Sequence, residues 1–258
     1  MRGGAQSQLI EGSDGHLYVV KFRNNPQHSR VLANEWIASR LLAALGLCVP
    51  ATALIECNDE FLERNSSLTM QYSHGSFGPE PGVHFGSRLP CAPSETAIYD
   101  VLPDLMLRGV QNLEHFAGAF LGDQWLCNAD VRQAVFCRAE AIDGRRRFTA
   151  YFIDQGHAFD GCAWALRESP LRGIYHRRVV YAGVRNWNSF DPWIERLQSI
   201  PHAEFDRILE EVPVSWIDDS SALTRLMCLL EARRRNARRF LEAAIRENPN
   251  AFVNWRDT

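Results

Sequence analysis

The sequence predicts an α+β protein of two lobes, a small β-rich lobe over residues 1–75 and a larger, mostly helical lobe over residues 76–258. Three observations predict it. Short strand-like runs with a single helix fill the first third of the chain. A stretch rich in Gly, Pro and Ser over residues 73–95 reads as a lobe boundary. Beyond it, apolar residues recur mainly at helical spacing. With 258 residues and 46% hydrophobic composition, the chain can bury a sizeable core.

In the first third, Gln8-Leu9-Ile10-Glu11 and Leu17-Tyr18-Val19-Val20-Lys21-Phe22 flank Gly12-Ser13-Asp14-Gly15, a turn that suits a hairpin. Asn24-Asn25-Pro26 breaks the second strand. A helix follows from about Ser29, a candidate N-cap, to Leu45, with Gly46 placed as a C-terminal glycine. Thr52 to Glu56 and Leu68 to Tyr72 read as strands. In the second part, Leu113 to Cys127 carries an apolar helical face, and strands are expected at Ala134–Phe136 and Phe148–Ile153. Three more helices are expected, over Trp187–Leu197, Glu204–Glu211 and Leu223–Asn248. Most of the seven tryptophans fall here, where core packing explains them.

A net charge of −3 gives no overall field for nucleic acid or an anionic membrane. Arg145-Arg146-Arg147 reads as a hairpin tip after Asp143-Gly144, and Arg233-Arg234-Arg235 as a solvated helix face. The cysteine count of seven is odd and no pair has C-x-x-C spacing, which argues against a disulfide framework and a zinc site and for reduced thiols in the cytoplasm. Met1-Arg2-Gly3-Gly4-Ala5-Gln6 lacks the apolar core of a signal peptide. No apolar run reaches the length of a membrane span.

The chemistry concentrates in Ile153-Asp154-Gln155-Gly156-His157, in Asn128-Ala129-Asp130 and at Lys21. Lys21 is the only lysine; every other one of the 28 Lys and Arg residues is arginine. A G+C-rich genome explains the arginines, and would leave Lys21 a surface remnant. Yet lysine is a compact point charge on a thin stem, which arginine's planar fork does not replace. A strand lysine, then a loop acid, then an Asp-x-Gly after a strand is the order that kinase-fold phosphotransferases use. In that chemistry Lys21 grips nucleotide phosphates, Asp130 orients or deprotonates the acceptor hydroxyl, and Asp154 holds magnesium. Glu35, mid-helix after the lysine strand, would hold the Lys21 ammonium; the plainer reading is one more exposed helix charge. Gly3, Gly4 and Ser7 are candidates for a loop of backbone N–H donors over the phosphates, although glycines at a terminus are usually only flexible.

These segments resemble the bacterial HipA-like kinase family. Asp123-Gln124-Trp125-Leu126-Cys127-Asn128-Ala129-Asp130 and Tyr151-Phe152-Ile153-Asp154-Gln155-Gly156-His157 carry the resemblance. Gly3-Gly4-Ala5-Gln6 is similar to its phosphate loop and Tyr18 to Phe22 to its lysine strand, and Asn34-Glu35 with the run to Leu45-Gly46-Leu47 and Val49-Pro50 also fits. Phosphoinositide-kinase segments are similar as well. The resemblance implies a two-lobed protein-kinase-like fold with a nucleotide-binding N-terminal lobe, ATP with Mg2+, and often a serine or threonine of a protein as acceptor. Such proteins usually pair with a small DNA-binding antitoxin. One departure is Val135, which stands where the family places an asparagine as second metal ligand; Gln133 is the nearest amide and the proposed substitute. Two other functions remain open: a degenerate kinase that binds nucleotide or protein without turnover, and a small-molecule phosphotransferase of the antibiotic- or lipid-kinase type.

Overall fold

The structure, a computed structural model, describes residues 6–139 and 147–256. Strands β1 (Gln8–Glu11) and β2 (Leu17–Lys21) form the expected hairpin and lead to helix α1 (Arg30–Ala44). Strand β3 (Thr52–Cys57), helix α2 (Asp59–Arg64), strands β4 (Met70–Tyr72) and β5 (Gly75–Phe77), and strand β6 (Gly82–Arg88) complete the first region. There follow β7 (Ile98–Tyr99), α3 (Asp104–Leu107), α4 (His115–Trp125), β8 (Gln133–Ala139) and β9 (Arg147–Ile153). The C-terminal helices are α5 (Asp191–Ser199), α6 (His202–Glu210), α7 (Ser220–Arg233) and α8 (Ala237–Glu247).

The N-terminal sheet is antiparallel in the order β1-β2-β6-β3, so β6 lies between β2 and β3. The sheet thus takes in residues 82–88, which lie past the boundary expected at residue 75. Val83-His84-Phe85 is too short an apolar run, among glycines, to announce a strand, yet His84 and Phe85 are buried and the sheet closes only with it. The three-stranded sheet β7-β8-β9 begins the second region.

Helix α1 is buried nearly all round, as a helix between two layers must be. Val31, Leu32, Ile37, Leu41 and Leu42 join the same core as Phe116, Phe120, Phe152 and the residues of α5 to α8. A smaller core, with Ile10, Tyr18, Val20, Phe22, Cys57 and Met70, lies against the N-terminal sheet. The helix that follows the Lys21 strand is thus anchored in the main core.

Several local expectations change. Ser29 has helical backbone angles and its side chain caps nothing. Gly46 does end α1, at φ +89°, the left-handed region that glycine enters without strain. The long C-terminal helix is two helices broken by a 3₁₀ turn at Arg234–Asn236. There Arg233 donates to the carbonyls of Trp125 and Gln124, and Arg234 to that of Ile200, so these two are packed structural donors rather than solvated charge. The turn expected at Asp143-Gly144 lies outside the described residues, as do Arg145 and Arg146. Cys91 and Cys137 form a disulfide, their Cα atoms 6.5 Å apart, against the expectation of reduced thiols throughout. Strand pairing sets Cys137 beside the chain that leaves β6, a proximity that cysteine spacing does not encode. Among the described residues no helix is long and apolar enough to cross a membrane.

Candidate active site

Lys21 ends β2, opposite Phe85 of β6, and is buried at 7% exposure. Its Nζ donates to Glu35 Oε1 of α1 in a short contact and to Asp154 Oδ1 at 2.8 Å. Glu35 is 3% exposed, which excludes an idle surface charge. Its other oxygen accepts from the backbone N–H of Gln155 at 2.9 Å. Strand, helix and the end of β9 thus meet at one ammonium, across the two lobes.

A buried charge is retained only with such partners. Burial works against the Lys21 charge, but Glu35 and Asp154 outweigh it and raise Lys21 above the ordinary lysine value. Burial also works against Asp154, yet the Lys21 ammonium and its hydrogen bond hold that carboxyl down to about 2. Glu35 is pushed up by burial, against the pull of Lys21. One ammonium against two carboxylates leaves the cluster one negative charge in excess.

The register of β8 with β9 pairs Gln133 with Ile153 and so sets Gln133 beside Asp154. Gln133 Nε2 donates to Asp154 Oδ2 at 3.0 Å. Val135, where an asparagine was expected, is a strand residue paired with Tyr151 and offers no side-chain ligand. Asp154 itself has φ +62°. For a non-glycine residue that conformation costs on the order of 1–3 kcal/mol, and it recurs where a side chain must be aimed. The glycine of Asp-x-Gly has another reason: a Cβ on Gly156 would stand 2.9 Å from Val31 Cγ1 and 3.3 Å from Glu35 Oε1.

Asp130 lies on the next loop. Its N–H donates to Asn128 Oδ1 at 3.1 Å and its Oδ1 accepts from the N–H of Val131 at 2.7 Å, a compact polar turn. The loop is joined to the Asp154 segment by Ala129 N–H to His157 O at 2.9 Å and to the following chain by Gly173 N–H to Asp130 O at 2.9 Å. Asp130 is therefore adjacent to the Lys21–Glu35–Asp154 cluster without bonding to it. Ser7 precedes β1 and is not among the partners of that cluster, while Gly3 and Gly4 lie outside the described residues.

Two groups essential to this geometry escape the sequence reading. Arg132 is fully buried: its Nε and a terminal nitrogen bond both oxygens of Asp123, and it donates to Ile153 O at 3.1 Å and Gln155 Oε1 at 2.9 Å. It clamps the Asp130 loop to the strand end that carries Asp154. Asn34 places its amide against the carbonyls of Gly156, Ala158 and Gly161 and accepts from the Trp164 indole at 2.7 Å. A signal for the first existed, because an acid inside the helix that carries the buried Phe116, Phe120 and Trp125 must find a buried partner.

Similarity to known proteins bears on the fold that holds this arrangement. The model of a family described as HipA-like kinase matches residues 1–247. The chain belongs to the HipA-like kinase family. Membership makes it a kinase-type phosphotransferase. No curated protein matches it. Among solved structures it is similar to the Helicobacter pylori proinflammatory kinase CtkA, with a TM-score of 0.53 and 16% identity over 95% of this chain and 94% of that one. At that identity the likeness supports the two-lobed kinase-like fold.

The donor set can be tested against the metal this family implies. Asp154, with its side chain one-third exposed, supplies a carboxylate, Gln133 an amide oxygen, and the cluster an unbalanced negative charge. Hard oxygens in small number fit Mg2+, which takes its remaining ligands from phosphates and water. Among the described residues no group of three or more His, Cys, Asp and Glu gathers as a metal cage. Such a cation would need the nucleotide to complete its shell.

Proposed function

We propose that the protein transfers the γ-phosphate of ATP, with Mg2+, to a hydroxyl, most simply a serine or threonine of a protein. The observation that carries this reading is the Lys21 ammonium held between Glu35 and Asp154, with Gln133 on the second oxygen of Asp154. Phosphoryl transfer needs little covalent chemistry from the protein; it needs phosphates positioned and their charge neutralised. Lys21, oriented by Glu35, binds phosphate oxygens. Asp154 and Gln133 would hold Mg2+, which would supply charge neutralisation for the transferring group. Asp130, with an oxygen left over from its own turn, accepts the proton of the acceptor hydroxyl. Gly3 and Gly4, with Ser7, would cover the phosphates.

Val135 supports a second reading, a nucleotide-binding protein without turnover, since the usual second metal ligand is replaced. One experiment separates the two. The protein is incubated with labelled ATP and Mg2+, and incorporation into itself and into lysate proteins is followed for wild type, Asp130→Asn and Asp154→Ala. Incorporation by wild type alone supports the kinase reading. Firm Mg2+-dependent ATP binding with neither incorporation nor ADP release supports the second. No ATP binding at all would refute both.

A further inference from the structure

The disulfide between Cys91 and Cys137 closes 46 residues of chain, and its two ends are informative. Cys91 lies in residues 89–97, which carry the chain from β6 of the N-terminal sheet to β7 of the C-terminal sheet. Cys137 lies on β8. Along β8, Ala134 and Phe136 enter the main core, whereas Gln133, Val135 and Cys137 share the opposite face. On that face Gln133 meets Asp154. Cys137 follows Gln133 by four residues, about 13 Å along a strand. The bond therefore fastens the lobe-connecting segment to the strand face that ends at the Lys21–Asp154 cluster.

Beyond the segment, the two-residue strand β7 pairs with β8, Ile98 opposite Cys137; within residues 89–97 little else fastens it. Leu89 N–H donates to Leu17 O at 2.8 Å at one end. At the other, Arg138 N–H reaches Ala97 O at 3.5 Å and Thr96 Oγ1 reaches Arg138 O at 3.4 Å, both at the limit of a hydrogen bond. Between them, Ala92 to Glu95 are exposed. Cys137 is buried, but Cys91 lines a cavity of about 700 Å³ together with Leu17, Pro50, Arg88 and Tyr151. The cavity gives a small dithiol access to the sulfur. The remaining five cysteines are free thiols, and burial raises Cys57 and Cys127 to about 11, which removes them as competing thiolates.

We propose that Cys91–Cys137 is a reversible redox site that sets how firmly the lobe-connecting segment, and with it the nucleotide cleft, is held. A dithiol reductant opens it. One thiolate of the reductant attacks the Cys91 sulfur, forms a mixed disulfide and expels Cys137 as a thiolate, which takes up a proton. The second reductant thiol attacks the mixed disulfide, leaves as the oxidised cyclic disulfide and frees Cys91 as a thiol. Two electrons pass from the dithiol to the pair, and the two protons on the reductant thiols end on the cysteines. In the dithiol form the segment samples arrangements that do not hold a nucleotide. Apparent affinity falls with the competent fraction, so a fraction of about one tenth weakens binding about tenfold.

The affinity arm rests on the nucleotide reading above; a second arm does not. The full chain is oxidised, and peptide mapping without reductant tests for the Cys91–Cys137 linked peptide. Hydrogen exchange over residues 89–97 and calorimetry with ADP and Mg2+ then compare oxidised and dithiothreitol-reduced protein. Reduction is expected to speed exchange in that segment and to weaken ADP about tenfold. Cys91→Ser and Cys137→Ser should each behave as the reduced form and ignore dithiothreitol, while Cys228→Ser should respond as wild type. Absence of the linked peptide overturns the proposal. So do unchanged exchange and affinity once free thiols are confirmed, or tighter binding on reduction. If neither form binds ADP, the nucleotide reading fails, while faster exchange on reduction still establishes the tether.

Discussion

The two ends of the cleft are built in opposite ways. At the Asp154 end each carboxylate oxygen has a partner within the protein, Lys21 on one and Gln133 on the other, and the lysine is itself held by Glu35. At the Asp130 end, one oxygen closes its own turn and the other has no protein partner among the described residues. Under the proposed function, the difference matches what each end would do. Charges that meet phosphates are most effective when fixed in advance, because nothing then has to reorganise as charge develops. A group that receives a proton from an incoming hydroxyl must keep an atom free for it. On this reading one end is a fixed electrostatic frame and the other an open acceptor.

The sharpest way to break the comparison is Asp130→Asn. It should lower autophosphorylation by about two to four orders of magnitude, the range for a positioned acid or base, with ATP affinity unchanged by calorimetry. A parallel loss of affinity would show that the two ends are not separable. Next comes the frame. Lys21→Met leaves Glu35 buried without its cation, and breaking a buried pair costs about 3–5 kcal/mol. Thermal unfolding should fall accordingly, by roughly 2–4 °C for each kcal/mol. Adding Glu35→Gln should restore much of that stability, but no ATP binding; recovery of binding would remove Lys21 from the phosphates. Asp154→Ala should abolish Mg2+-dependent binding, and Gln133→Ala should weaken it by about tenfold, the lower range for a supporting metal-site group. Equal effects of the two would make Gln133 as important as the acid.

The smallest effect is acid sensitivity of the sheet that carries Lys21. His84 is completely buried in β6, where its Nδ1 accepts from the Arg23 N–H. Burial lowers its pKa to about 4. The unfolded chain takes up this proton near pH 6.5, well before the folded one does. Its contribution is therefore intact above pH 6.5 and lost progressively as pH falls towards 4. Protection of β6 amides relative to their intrinsic exchange rates should fall between pH 7 and pH 4.5, and His84→Asn should flatten that dependence. A larger fall in protection at the Asp130 loop than in β6 over that range would place the acid-sensitive element at the other end.

What the sequence disclosed follows a physical divide. Lys21 and Asp154 were legible because each breaks its local pattern, the lone lysine on an apolar strand and an acid and glycine after a strand, and Glu35 from its place mid-helix after the lysine strand. Helices with an apolar stripe were legible from periodicity, and strands β8 and β9 from their apolar segments. Pairings between distant segments were not. Arg132 with Asp123, Asn34 with the 156–161 loop and Cys91 with Cys137 are settled by tertiary placement alone. Strand β6 stayed hidden because its propensity is weak and its neighbours supply the stability. The packed arginines at 233 and 234 look, as a string of letters, like any charged surface.

Asn34 is the residue before Glu35, and its amide faces three carbonyls of the segment after Asp154. Swinging α1 outward would strip partners from those carbonyls and from the Trp164 indole inside the core, at about 1–3 kcal/mol for each group left unmatched. The helix thus has no inexpensive parked position. A throttle that works by withdrawing Glu35 from Lys21 would therefore be a costly one for this chain.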